Sequence, residues 1–207
     1  MAYDFNGSNQ YLSGGTGFPF NFGPGDYTVS CLINFVSFSN NPVFFDTRTS
    51  VSGLGLALYA PSSGTPILYI AGNAITGSPV ATGTTHSILA SRLSGQHQLY
   101  VNGSSNGTSS MAANFVDTGL LIGTAFDHVS LNTFKMNGTV AEVAVWNAAL
   151  TADEIRALNS RFTPDQIRPQ SLQFYAPLVR NLQDVRAGRT ITNINGATAA
   201  IHPRIIK

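Results

Sequence analysis

The sequence has few of the residues that build crosslinks, metal sites and exposed helices. Its 207 residues include a single cysteine, Cys31, so neither an internal disulfide nor a cysteine-based zinc site can form. It has only two glutamates and two lysines, and 10% of its residues are charged, which disfavours long exposed helices. Hydrophobic residues make up 43%, however, so residues 1–207 are predicted to form one domain with a substantial core.

Charge is scarce and unevenly distributed. Residues 1–150 carry three basic and six acidic side chains, a balance of −3, whereas residues 151–207 carry eight and four, a balance of +4. Nucleic-acid binding needs a dense cluster of lysine and arginine, so no nucleic-acid partner is expected. The start of the chain lacks a secretory pattern and no apolar run approaches membrane-spanning length, so we expect a protein made in the cytoplasm without a membrane partner.

Short apolar or alternating segments, separated by turn residues, predict β-strands along most of the chain. They lie at residues 27–36, 42–46, 53–59, 66–70, 86–91, 96–101, 120–122 and 138–146. Within Leu-Tyr-Val-Asn-Gly-Ser, the pair Asn102 and Gly103 predicts a tight hairpin. The pattern as a whole predicts an all-β sandwich.

One segment has the features of a helix. In Thr151-Ala-Asp-Glu154 the threonine hydroxyl can cap the first turn, and the glutamate can accept a hydrogen bond from the threonine amide. Three apolar side chains then follow on one face: Ile155, Leu158 and Phe162. Residues 151–162 are therefore predicted to form a short amphipathic helix that lies across the sandwich.

Three segments carry the motifs of one kind of β-sandwich. They are Y-D-F-N-G-S-N-Q-Y-L at residues 3–12, the hairpin within residues 86–108, and N-G-T-V-A-E-V-A-V-W-N-A-A-L-T-A-D-E-I-R-A-L within residues 120–158. In this order they resemble the LamG-like jelly roll of the concanavalin A-like lectin and glucanase superfamily. The resemblance implies a two-sheet jelly roll.

The end of the chain is similar to the strand and loop that usually open such a domain. The chain therefore resembles a circular permutant, in which residues 174–178 supply the strand expected before Tyr3. The rival arrangement is strand exchange, in which this strand completes a neighbouring subunit. On either arrangement residues 170–207 supply a C-terminal strand, and their apolar end closes the sandwich or contacts another subunit.

Glucanases of this superfamily cut glycosidic bonds with two carboxylates on one strand. The matching strand here offers Glu142 alone, so we predict no catalytic residue and no enzyme. LamG-like domains often bind calcium, and the resemblance makes Asp4, Asn6 and Glu142 the candidate ligands. Because Asn6 and Ala141 stand where the family often has aspartate, we expect a weak calcium site or none, and no other cofactor.

Two functions follow from the resemblance. The first is a non-enzymatic component of a bacteriophage virion, either a capsid decoration or a tail appendage, with other virion proteins and further copies of itself, for example in a trimer, as partners. The alternative is a lectin-like adhesion module, in which loop aromatics and Asn or Asp side chains converge to bind a surface glycan.

The candidate contact residues are basic and apolar residues of the tail and three phenylalanines. They are Arg180, Arg186, Arg189, Ile201, Arg204, Ile205, Ile206, Phe18, Phe20 and Phe22. Core packing is the alternative for the three phenylalanines, and closure of the sandwich is the alternative for the tail residues. Among other aromatic residues that could stack on sugars are Tyr11, Tyr59 and Tyr69, while Asp127 and His128 are expected at a polar loop tip.

Overall fold

The computed structural model describes residues 2–49, 54–111, 115–179 and 181–206. Within these ranges two antiparallel sheets pack face to face, and one short helix lies outside the first sheet. The strands are β1 (Ala2–Asn6), β2 (Tyr11–Gly15), β3 (Tyr27–Phe35), β4 (Val43–Asp46), β5 (Leu56–Tyr59), β6 (Ile67–Ile70), β7 (Asn73–Thr76), β8 (Thr85–Leu93), β9 (Gln96–Val101), β10 (Ser104–Ser110), β11 (Leu120–Ile122), β12 (Asn137–Trp146), β13 (Leu172–Ala176), β14 (Thr192–Ile194) and β15 (Thr198–Ala200).

The strand orders define the two layers of a jelly roll. The first sheet runs β10-β9-β8-β3-β12-β1-β15, and β13 also pairs with β12. The second sheet runs β14-β2-β11-β4-β5-β6-β7. All eight strands predicted from apolar periodicity form, and the predicted hairpin joins β9 to β10 through Asn102 and Gly103, both at positive φ. The all-β sandwich predicted from the sequence is thereby confirmed.

The core lies between the two sheets and is rich in aromatic side chains. Where the strands are regular, alternate residues point into it, which is why β5 and β6 of the second sheet bury Leu56, Leu58 and Leu68 while the residues between them face outwards. Cys31 is fully buried in β3 as a small apolar residue, and burial raises the pKa of its thiol.

Phe18 and Phe20 belong to this core, which corrects their assignment as contact residues. Their exposed fractions are 4% and 1%, and both rings make edge contacts with Phe174, at centroid distances of 5.6 and 5.5 Å. Phe18 fits because it lies on Gly14, where a Cβ atom would come within 2.4 Å of the ring. Phe22 is half-buried and stacks on Tyr27, with the two ring centroids 5.0 Å apart. Residues 18–22 therefore fold inwards onto the core.

Helix α1 (Ala152–Asn159) begins at the predicted cap. The Thr151 hydroxyl accepts a hydrogen bond from the Glu154 amide, and Glu154 Oε2 accepts one from the Thr151 amide at 2.7 Å. Ile155 and Leu158 are buried against a second apolar cluster that includes Trp146 on β12. The helix ends at Asn159, before the predicted end at residue 162, and Phe162 is 38% exposed. Among the described residues, no helix has the length and apolar character needed to span a membrane.

The C-terminal region closes both sheets within the same chain. On one edge of β12, β1 pairs with residues 137–140 and β13 pairs with residues 143–146, so β13 lies in line with the start of β1. This is the position that the resemblance to a circular permutant assigns to it. β15 then pairs with β1, and β14 joins the second sheet by pairing with β2.

Candidate functional site

The outer face of the second sheet carries a depression of about 210 Å³. Its floor is made by residues that alternate with the core residues of β4, β5 and β6: Val43, Ala57, Tyr59 and Tyr69. Strand pairing sets Tyr59 opposite Val43 and Tyr69 opposite Ala57, so the small side chains leave room above the sheet between the two phenols. Both tyrosines are half-buried.

A buried ion pair forms one wall of the depression. Asp46 ends β4 and is fully buried, and the Arg48 guanidinium binds it through Nε, at 3.0 and 3.1 Å from the two carboxylate oxygens, and through Nη2 at 2.5 Å. Burial raises the pKa of Asp46, and these donors oppose that shift. For Arg48, burial alone would lower the pKa, but the hydrogen bonds and charge of Asp46 hold it above its ordinary value. The guanidinium therefore stays charged and fixed in place.

A crossing segment, residues 125–135, forms a second wall next to the ion pair. Its 3-10 turn (Phe126–His128) is attached to the sheet because the Phe126 amide donates to Asp46 Oδ2 at 3.0 Å. At its far end the buried Lys135 ammonium donates to the Thr124 hydroxyl at 2.8 Å and to the Val129 carbonyl at 3.0 Å. These bonds hold the segment against the sheet although most of its side chains are polar or exposed.

The crossing segment contributes Asp127, His128 and Phe134 to the depression. Asp127 Oδ1 lies 2.9 Å from His128 Nδ1 and 3.6 Å from Arg48 Nη2. Burial would raise the pKa of Asp127, but the hydrogen bond with His128 and the charge of Arg48 lower it below its usual value. The Phe134 ring lies 4.3 Å from the His128 ring and 6.4 Å from the Tyr59 ring. Apolar ring surface and charged hydrogen-bonding groups thus meet in one place.

A second depression of about 260 Å³ lies on the other side of Arg48. Tyr11, Leu121 and Val129 are among its lining residues, and Arg48 borders both depressions. The outer face of the second sheet therefore offers two adjoining concave areas separated by the 3-10 turn.

The three candidate calcium ligands do not converge. Asn6 and Glu142 stand about 16 Å apart along the sheet, because Asn6 pairs with Asn137, five residues before Glu142 on β12. Asn6 forms a turn, in which its Oδ1 accepts from the Ser8 and Asn9 amides at 2.9 and 3.2 Å. Asp4 is half-buried on β1. These residues do not fit a calcium ion, and the described part of the chain contains no group of three His, Cys, Asp or Glu that could hold a metal.

Glu142 instead joins the C-terminal tail to the first sheet. Its carboxylate accepts a hydrogen bond from the Tyr175 hydroxyl at 2.6 Å and lies 2.8 Å from His202 Nε2. Glu142 is buried and has a φ of +51°, at the irregularity where β12 shifts its register against β3. This pairing corresponds to a structural role.

Several of the tail residues predicted to contact partners are used within the chain. Arg189 donates to the buried Asp184 at 2.8 Å, and Arg186 donates to the Leu172 carbonyl at 3.2 Å. Two tail isoleucines also have intramolecular contacts: Ile205 lines a small depression with Leu32 and Leu158, and Ile206 forms a bridge with Phe162. Arg204 is exposed and Ile201 is 93% exposed, so these two remain candidate contact residues. Arg180 lies outside the described residues.

The sequence contained only part of the signal for this site. Tyr59 and Tyr69 lie on predicted strands, and their alternation with Leu58 and Leu68 is enough to place them on the outer face. Arg48 and Asp127 are far apart in sequence, and only the pairing of β11 with β4 brings their segments together. The sequence predicts Asp127 at a polar loop tip, whereas the structure places it in the 3-10 turn (Phe126–His128) that lies against the sheet.

Comparison with known proteins supports the architecture. A family model described as the concanavalin A-like lectin/glucanases superfamily matches residues 6–156. No curated protein sequence matches the chain. A Bacteroides ovatus protein inferred to bind carbohydrate has a TM-score of 0.70 and 20% identity, over 96% of this chain and 61% of that one. The chain thus spans about three fifths of the length of that protein.

Two further solved structures have the same fold. Domain 4 of AbnA, a GH43 extracellular arabinanase from Geobacillus stearothermophilus in complex with arabinotriose, has a TM-score of 0.58 and 16% identity, over 76% of each chain. The CBM40 of the Ruminococcus gnavus IT-sialidase, bound to α2,3 sialyllactose, has a TM-score of 0.55 and 13% identity, over 67% of this chain and 84% of that one. Since the family match covers more than half of its residues, the chain belongs to the concanavalin A-like lectin/glucanases superfamily.

Proposed function

We propose that this protein is a non-catalytic glycan-binding module and that the depression beside Arg48 is its binding site. The observation that carries the proposal is the combination of Tyr59, Tyr69 and Phe134 with the polar groups of Arg48 and Asp127 in one concave area. Sugar rings have an apolar face and a rim of hydroxyl groups, so a site for them needs flat ring surface and fixed hydrogen-bonding groups side by side.

The rigidity of the site supports binding. Arg48 is held by the buried Asp46, and the crossing segment is held by Asp46 and Lys135, so the polar groups are positioned before a ligand arrives. Such preorganisation lowers the entropy cost of binding. The solved structures of the same fold include a CBM40 bound to α2,3 sialyllactose and an arabinanase domain in complex with arabinotriose, which supports sugar binding as a function that this architecture can have.

The absence of a catalytic pair favours binding over hydrolysis. Within the described residues the depression is lined by one carboxylate, Asp127, and the buried Asp46 behind it is fully engaged by Arg48. Glycoside hydrolysis of the usual kind needs two carboxyl groups that can reach the scissile bond. Placement on a bacteriophage virion stays a prediction from the sequence resemblance, and it is compatible with glycan binding.

The test is a glycan array with the purified full chain, followed by calorimetric titration of the glycans that bind. Tyr69→Ala should weaken that binding about tenfold or more, because it removes ring surface from the floor of the site. Tyr69→Phe keeps the ring and should retain most of the affinity. Tyr100→Ala, on β9 of the other sheet, is the matched control and should bind like the wild type. Absence of binding to every glycan, or equal binding by Tyr69→Ala, would contradict the proposal.

A further inference from the structure

We propose that this site accepts uncharged sugars and discriminates against acidic ones such as sialic and uronic acids. The inference rests on the proposed function and specifies its ligand class. It follows from the charges that line the depression, where Arg48 is the cation and Asp127 the exposed anion among the described lining residues that carry a permanent charge.

The Arg48 guanidinium is already neutralised. Asp46 accepts hydrogen bonds from the Arg48 backbone amide at 2.9 Å, from the Arg48 side chain, and from the Phe126 amide. Every one of these partners is a donor, which is the environment of an ionised carboxylate. The side chain of Arg48 is 11% exposed and its guanidinium carbon lies 5.5 Å from the centroid of the Tyr69 ring, so Arg48 borders the depression with its charge already paired with Asp46.

Asp127 adds a second negative charge at the rim. Its Oδ1 lies 3.6 Å from Arg48 Nη2, and 30% of its side chain is exposed. Asp46 and Asp127 are ionised and only the Arg48 guanidinium opposes them. The net charge of these three groups is therefore −1 when His128 is neutral. The buried Lys135 does not change this, since its ammonium points to the Val129 carbonyl and lies 5.1 Å from the Tyr11 ring, outside this depression.

An acidic sugar would therefore meet unfavourable electrostatics. Its carboxylate would approach Asp127 without an unpaired cation to bind, and a partly buried setting strengthens like-charge repulsion. A neutral sugar has no such cost, and its hydroxyl groups can donate to the Asp127 carboxylate while its apolar face packs on Tyr59 or Tyr69. The same fold binds a sialylated sugar in the CBM40 structure, so this discrimination would belong to the residues of this chain and not to the architecture.

The test compares neutral glycans with their acidic counterparts on the same scaffold, beginning with lactose and α2,3-sialyllactose and with each neutral glycan that binds on the array. We expect the acidic member of each pair to bind at least about tenfold more weakly than the neutral member. This difference in affinity should become smaller as salt is added. Asp127→Asn should reduce the difference in affinity at low salt. Asp153 is an exposed aspartate on helix α1, and Asp153→Asn should leave that difference unchanged.

The outcomes separate the two proposals. Acidic glycans that bind as well as neutral ones, with binding lost in Tyr69→Ala, would overturn the neutral-sugar inference while the glycan-binding function stood. An unchanged difference in affinity between neutral and acidic glycans in Asp127→Asn would also overturn the neutral-sugar inference. Failure of all glycans, neutral and acidic, would reject the proposed function together with the inference.

Discussion

His97 shows how one buried residue couples this fold to pH. It is fully buried, with Nδ1 3.1 Å from the Tyr27 hydroxyl and with its ring 5.8 Å from that of Phe115. Burial and the positive charge of Arg92 lower the pKa of His97 to about 4. Histidine in an unfolded chain titrates near pH 6.5. Protonation between these values therefore favours the unfolded state, and stability that is present above about pH 6.5 is lost as the pH falls towards 4.

We expect His97 to account for about 2 kcal/mol of stability lost between pH 7.5 and pH 5. Urea unfolding at both pH values, on the wild type and on His97→Gln, would measure it. The variant should be less stable at pH 7.5, because it disturbs a packed site, but should lose about 2 kcal/mol less on acidification. His128→Gln, at the partly exposed proposed binding site, serves as the control. Equal acid losses in wild type and His97→Gln would contradict this account.

Helix α1 is specified locally and anchored by packing. The capping box joins Thr151 to Glu154, and Glu154 also receives hydrogen bonds from Arg168, at 2.9 and 2.6 Å. Thr151→Ala removes one side of the box and should cost about 1 kcal/mol of unfolding free energy. Asp153→Ala, in the same turn but largely exposed, should cost less. Chemical denaturation of both variants measures the difference, and a Thr151→Ala variant as stable as Asp153→Ala would show that the cap contributes nothing here.

Periodicity missed four edge strands, and it also missed β1 and β2, each of which has a neighbour on both sides. β7 and β10 end their sheets, and β10 consists of Ser104–Ser110, which are all small or polar. β14 and β15 occupy the opposite edges. An edge strand has one neighbour and much solvent contact, so it lacks the apolar alternation that identified the central strands. The proposed binding site could not be predicted for a different reason, since Arg48 and Asp127 are brought together through the pairing of strands distant in sequence.

At the scale of the whole molecule, the C-terminal region decides whether the sandwich is complete in one chain. β13 places Phe174 in the core against Phe18 and Phe20, so its removal would open the space between the sheets. Residues 201–206 follow β15 and lie over the outer face of the first sheet, near Glu142 and Phe162. The strand is thus integral to the fold of a single chain, while the last residues are an addition to its surface.

This distinction predicts different results for two deletions. Removal of residues 171–207 should give insoluble protein, because the core loses Phe174. Removal of residues 201–207 should leave a soluble, folded protein that is less stable by about 1–3 kcal/mol, because the buried Glu142 carboxylate loses its contact with His202. The shorter deletion is measured by circular dichroism, urea unfolding and light scattering. These measurements distinguish a tail that stabilises its own chain from a tail that contacts another subunit. Unchanged stability with a smaller oligomer would instead identify residues 201–207 as an arm that contacts another subunit, with Ile201 and Arg204 as its anchors.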